Sequence, residues 1–161
     1  MSASRPARRA TTAVAALALA SSALVAGAAP ASAASSCTGW SPVSGTGGNV
    51  DFRVCVSTAA ASGDKAKLVA SSQLRTNVFA KGRKASVKTS VRRNSGTYYS
   101  VLREVSTIGA VKTVGTGTVS RVLARSGSAE GKVFGTVQVS IRGGAWKTVK
   151  YGGKVIVAYK H

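Results

Sequence analysis

The 161-residue chain carries 23 Lys and Arg against four Asp and Glu, with one His and two Cys, for a formal charge of +19. Four carboxylates, Asp51, Asp64, Glu104 and Glu130, leave little from which to build a calcium site, and the only imidazole is the last residue, His161. Disorder is excluded by the 44% hydrophobic content, and the length suits one domain.

The first segment reads as an address. Arg5, Arg8 and Arg9 precede a charge-free run from Ala10 to Pro30, which ends in Ala31-Ser32-Ala33-Ala34. A basic end, an apolar stretch and small residues at the scission point make a secretory signal peptide over residues 1–33. A retained anchor is the weaker reading, because the run is mostly Ala, Ser, Thr and Gly. A lipid-modified Cys37 lacks the large aliphatic residue expected three positions upstream. Removing the three leader arginines leaves 20 bases and the same four acids, or +16 on residues 34–161, with no membrane span expected after cleavage.

Residues 34–48 are rich in Ser, Gly and Thr and form an N-terminal arm, and residues 49–161 form a single β domain. Val, Thr and Ile fill 35 of the 128 positions after the leader, whereas Leu fills four. β-branched residues favour strands over helices. Alternation of apolar and polar positions marks strands at 49–57, 65–75, 85–92, 97–106, 116–125 and 132–142. Residues 58–62 are too short for a helix and read as loop. Asn94-Ser95-Gly96 reads as a turn. Gly143-Gly144 and Gly152-Gly153 read as hairpin turns flanking strands at 145–151 and 154–160. The expectation is an all-β fold, an antiparallel β-sandwich or small barrel of about eight strands.

Cys37 and Cys55 both follow the leader, so an oxidising compartment makes them a structural disulfide that ties the arm to the first strand. Trp40 lies inside the closed loop. A redox-active pair would need C-x-x-C spacing, which is absent.

The charge is uneven. Ten bases and no acid lie between Asp64 and Glu104, and no acid follows Glu130. The candidate anion-binding residues are Lys81, Arg83, Lys84, Lys88, Arg92, Arg93, Arg142, Lys147, Lys150, Lys154 and Lys160. Trp146, Tyr151 and Tyr159 are interleaved among them as candidate aromatic contacts, equally suited to packing. Residues 80–84 read as a basic loop tip. Like charges repel in a folded domain, so an excess of this size points to an anionic partner: an envelope polymer or surface. Sequence-specific nucleic-acid binding is not expected, since no recognition module is present. The sequence assigns no catalytic residue, no cofactor and no metal ligand; it lacks a nucleophile elbow and a spaced carboxylate pair. The expectation is a secreted, non-catalytic binding protein. A protein-directed effector, either an inhibitor presenting residues 81–84 or an antimicrobial protein, is the alternative.

Overall fold

The protein is described over residues 34–160 by a computed structural model. The signal peptide read at 1–33 lies outside the described residues, as does His161. The arm supplies two short strands, β1 (Ser35–Cys37) and β2 (Ser41–Pro42). Seven long strands follow: β3 (Val50–Ala60), β4 (Lys65–Thr76), β5 (Ala80–Arg93), β6 (Tyr99–Ile108), β7 (Thr113–Ala124), β8 (Ser126–Ile141) and β9 (Lys147–Lys160).

They form two antiparallel sheets, as expected for a sandwich. The first has the order β1-β3-β4-β7, with β2 also paired to β3; the second has the order β6-β5-β8-β9. Hairpins join β3 to β4, β5 to β6 and β8 to β9. The connections after β4, β6 and β7 cross from one sheet to the other. Val50, Phe52, Val54 and Val56 of β3 point inward and their neighbours outward, which is the period of a sheet with one buried face.

The core has two apolar halves. One gathers Val50, Phe52, Val54, Leu74, Val87, Val133, Val137 and Tyr151. The other gathers Val56, Leu68, Ala70, Val91, Val119 and Tyr159. A polar seam is buried in the interior: Ser72 Oγ lies 2.6 Å from Thr89 Oγ1 and 2.9 Å from Thr116 Oγ1. The hydroxyl of Tyr151 is buried beside it without a well-formed hydrogen bond. Burial pushes that phenol well above its ordinary value, opposed only by the Thr116 hydroxyl. Hydroxyls that satisfy one another cost little to bury.

Four expectations need correction. Gly152-Gly153 is no turn, because β9 runs through it unbroken. Gly153 faces Phe52, where an added Cβ would stand 2.9 Å from the ring, so the residue makes room for the aromatic. Residues 80–84 are no loop tip but the first part of β5, paired to both β6 and β8. There Gly82 packs tightly, and an added Cβ would stand 3.3 Å from the Ile108 side chain and 3.4 Å from that of Val137. Residues 58–60 complete β3 opposite 66–68. Last, β8 begins at Ser126, six residues before the expected start, because Gly127, Ala129 and Gly131 carry almost no apolar signal on its inward side. The turns at 94–96 and 143–144 stand as expected.

Candidate functional site

The two sheets present different outer faces. On the first, the disulfide joins Cys37 to Cys55 across directly paired positions of β1 and β3, as expected. The tied arm brings Trp40 over this face, with the guanidinium groups of Arg53 and Arg75 at 4.6 and 4.3 Å from its ring centroid. Arg53 also donates to Gln73 Oε1 at 2.6 Å, and Arg75 donates to Asp51 Oδ2 at 2.9 Å. Both arginines are therefore committed inside the fold.

The second outer face is set by register. Strand pairing places Ser100, Ser90, Lys132 and Lys154 in one row across β6, β5, β8 and β9. The next row holds Leu102, Lys88, Phe134 and Gly152, and the one after it Glu104, Ser86, Thr136 and Lys150. Lys88, Lys132, Lys150 and Lys154 are all exposed, as are Leu102, Phe134 and Ile156. Lys88, Ser90, Tyr98, Ser100, Lys132 and Phe134 line a shallow depression of about 280 Å³.

The acids on this face are two. Glu130 is buried, accepts from Arg92 Nη2 at 2.8 Å and accepts a second bond from the Tyr98 hydroxyl. Burial alone would raise its pKa. The bonds from Tyr98 and Arg92 and the charges of Arg92 and Lys154 outweigh that, and hold the carboxyl below its ordinary value. Burial and the adjacent carboxylate together push the Tyr98 phenol up. Glu104 lies at the β6 edge and makes no ion pair among the described residues.

The expected candidates thus divide. Lys81, Arg83, Lys88, Lys150, Lys154 and Lys160 lie on or along the second face, all exposed. Arg83 stacks on Trp146, 4.2 Å from the ring centroid. Arg92 is on the face but is neutralised by Glu130. Arg93 turns away and donates twice to the carbonyl of Ser126. Lys84 sits in a bulge of β5 at a φ of 48°. Arg142 and Lys147 belong to one end of the sandwich, where Arg142 stacks on Phe79. Tyr151 and Tyr159 are buried and belong to the core; Trp146 is the only one of the three aromatic candidates at the surface. Lys132 was absent from the candidate set, yet it stands in the middle of the face. Its alternation with Val133 and its register with Lys154 mark it, once β8 and β9 are paired through Gly152 and Gly153.

Among the described residues no group of His, Cys, Asp and Glu is placed to hold a metal ion, and no helix is long and apolar enough to cross a membrane. No family model matches the chain, and no curated protein matches it. One solved structure, described as "X-ray structure of Northeast Structural Genomics Consortium target SoR45", is similar over 66% of this chain and 86% of its own, at 13% identity and a TM-score of 0.40.

Proposed function

We propose that this is a secreted, non-catalytic protein that binds anionic polymers of the cell envelope along the outer face of its second sheet. The observation that carries the reading is the direct opposition of Lys132 and Lys154 on β8 and β9. Like charges placed opposite one another across a strand pair destabilise a sheet. Neither lysine forms an ion pair among the described residues; Glu130, the nearest carboxylate, attracts Lys154 at longer range but is bonded to Arg92 and Tyr98, so its charge is largely met already. An extended polyanion repays that repulsion by lying across the rows of Lys88, Lys132, Lys150 and Lys154, and Phe134 and Leu102 offer apolar contact between the charges. Strands sit about 4.8 Å apart, a spacing that lets successive anionic groups of a flexible chain meet successive lysines. Nucleic acid would be held only as one more polyanion, without sequence preference.

Export is part of the same proposal. The leader pattern at 1–33 and the disulfide are both suited to an oxidising exterior. Without catalysis the scarcity of His and carboxylates is no handicap. An inhibitor presenting residues 81–84 is the weaker reading, because Gly82 and Arg83 are paired to both β6 and β8, and a segment held that way does not protrude into a protease cleft.

The test is retention on immobilised polyphosphate and on polygalacturonate across a salt series. Affinity is expected to fall steeply and linearly on a logarithmic plot, by counterion release. The variant with both Lys132→Glu and Lys154→Glu is expected to lose at least tenfold in affinity, each lost contact being worth about 1 kcal/mol. Retention that is indifferent to salt, or unchanged in that variant, rejects the face as the binding surface.

A further inference from the structure

A second surface lies at one end of the sandwich and is chemically unlike the lysine rows. Backbone hydrogen bonds knit four loops together there: Asn77 N donates to Asn49 O at 3.1 Å, Val111 N to Asn77 O at 3.4 Å, Thr76 N to Lys112 O at 3.2 Å, and Arg142 N to Phe79 O at 2.6 Å. The loops are residues 43–49, 77–79, 109–112 and 142–146, and none contains an acid. Four large apolar side chains stand out from them: Val78 is 64% exposed, Phe79 48%, Val111 68% and Trp146 41%, the last lying under the guanidinium of Arg83. Val78 and Phe79 share a groove of about 560 Å³ with Lys81, Ser140, Arg142 and Gly143. The Arg142 guanidinium lies 4.9 Å from the Phe79 ring centroid.

The backbone adds an independent observation. Val111 has a φ of 52°, a left-handed conformation that a β-branched residue adopts only with strain. Asn or Gly would fit this turn without penalty. The valine is 68% exposed, so its side chain adds little to the core. Strain retained to display an apolar group is a mark of a contact made outside the chain.

We infer that this end docks on an anionic phospholipid bilayer. Val78, Phe79 and Val111 enter the boundary between headgroups and acyl chains, while Lys81, Lys112 and Arg142 sit at the level of the phosphates. Charge complementarity selects this occupant. An apolar tip ringed by cations without a single acid is the pattern of an interfacial anchor, in which apolar burial and attraction to anionic headgroups add. Long Lys and Arg side chains keep their charges at the headgroup level while their stems pack against the apolar tip. The site is separate from the lysine rows, and either can fail without the other.

The experiment is sedimentation of the protein with phosphatidylcholine vesicles, with and without phosphatidylglycerol, at physiological salt. Three proteins are compared: the wild type, the variant Val78→Ser, Phe79→Ser, Val111→Asn, and the Lys132→Glu, Lys154→Glu variant. Binding is expected only with phosphatidylglycerol, and the loop variant is expected to lose about tenfold or more in affinity while its retention on polyphosphate is unchanged. The lysine variant is expected to lose polyphosphate retention and to keep the larger part of its vesicle binding. Equal vesicle binding by the wild type and the loop variant overturns the inference, leaving simple attraction of charge. Self-association that the loop substitutions abolish, with no vesicle binding, also overturns it, in favour of a second copy as the occupant. Two readouts guard against misfolding. Val111→Asn alone is expected to raise the unfolding midpoint by a few degrees while weakening vesicle binding, which a purely structural role for Val111 would not produce. A tryptophan placed by Val78→Trp is expected to be quenched by lipids brominated in the acyl chain; no quenching beyond that of the parent protein rejects insertion.

Discussion

The two outer faces of this sandwich start from the same ingredients and end in opposite states. Each carries a partly buried carboxylate, an arginine paired to it and an aromatic ring under a guanidinium: Asp51, Arg75 and Trp40 on the first, Glu130, Arg92 and Tyr98 on the second. On the first face the disulfide-tied arm folds Trp40 back over Arg53 and Arg75, so their charge is spent within the molecule. Among the described residues no segment covers the second face, and its lysines are exposed. The difference teaches that net charge alone does not locate a binding surface; what matters is which charges the fold has already used.

The strongest way to undo this contrast is to release the arm. Replacing Cys37 and Cys55 by serine opens a loop closed across a sequence separation of 18 residues, and is expected to cost about 3 kcal/mol of stability in the chain-entropy account. Chemical unfolding measures it. Trp40 emission in the folded variant is expected to shift to longer wavelength, as the ring leaves the arginines and becomes wetter. The first face would then gain some affinity for polyphosphate, chiefly at Arg53, since Arg75 keeps its ion pair with Asp51. Stability and emission equal to those of wild type would show that β1 and β2 hold the arm unaided.

The carboxylates give the next largest effect. Glu130 has a side-chain exposure of 7%, and Asp51 one of 20% beside a half-exposed Arg75. Glu130→Gln is expected to cost about 1–3 kcal/mol, the range for charge-assisted bonds replaced in a buried setting. Asp51→Asn is expected to cost no more than about 0.5 kcal/mol, as exposed pairs do. The pH dependence follows from the direction of the shift. The folded-state pKa of Glu130 is below the ordinary carboxylate value of 4.5, so its contribution is complete above that pH and fades as the pH falls through the folded value. Thermal midpoints of wild type are expected to drop below about pH 4.5, and Glu130→Gln to flatten that limb. An equally steep limb in Glu130→Gln would assign acid sensitivity to another carboxylate.

How far the sequence foretold these faces depends on small residues. Strict alternation at 50–56 and 133–141 made the strands of the core readable, because each inward position carried Val, Phe or Ile or stood between residues that did. The pattern failed at several inward positions occupied by Gly. Gly131 against Ala70 and Val56 and Gly153 beneath Phe52 are close-approach positions of the two sheets, and Gly82 is packed by Ile108 and Val137 of its own sheet. In the sequence each resembles a turn, since local propensity does not distinguish a glycine that bends the chain from one that admits a neighbour's side chain. Reading Gly152-Gly153 as a turn split β9 and hid the opposition of Lys132 and Lys154. Those two residues become neighbours only through a register across β8 and β9, which no local window contains. The apolar tip of Val78 and Val111 was equally illegible, because exposure at a loop end is a property of the assembled sandwich.

The smallest expected effect is also the one that best separates stability from function on the second face. Lys154→Glu replaces a like-charged cross-strand pair by an opposite-charged one with Lys132. Cross-strand pairs are worth roughly 0.2–1 kcal/mol, so the variant is expected to be more stable than wild type by that amount at low salt, with the gain shrinking as salt screens it. Part of the gain is offset at Glu130, which loses a favourable neighbour in Lys154 and meets a new negative charge. Retention on polyphosphate is expected to move the other way, with weaker binding and a shallower salt dependence, because one phosphate contact has been removed and one repulsion added. A surface kept only for solubility would give the stability gain with no loss of retention. A face that tolerates its own repulsion in order to hold a polyanion gives both changes together, and a low-salt unfolding curve beside a salt-elution profile distinguishes the two.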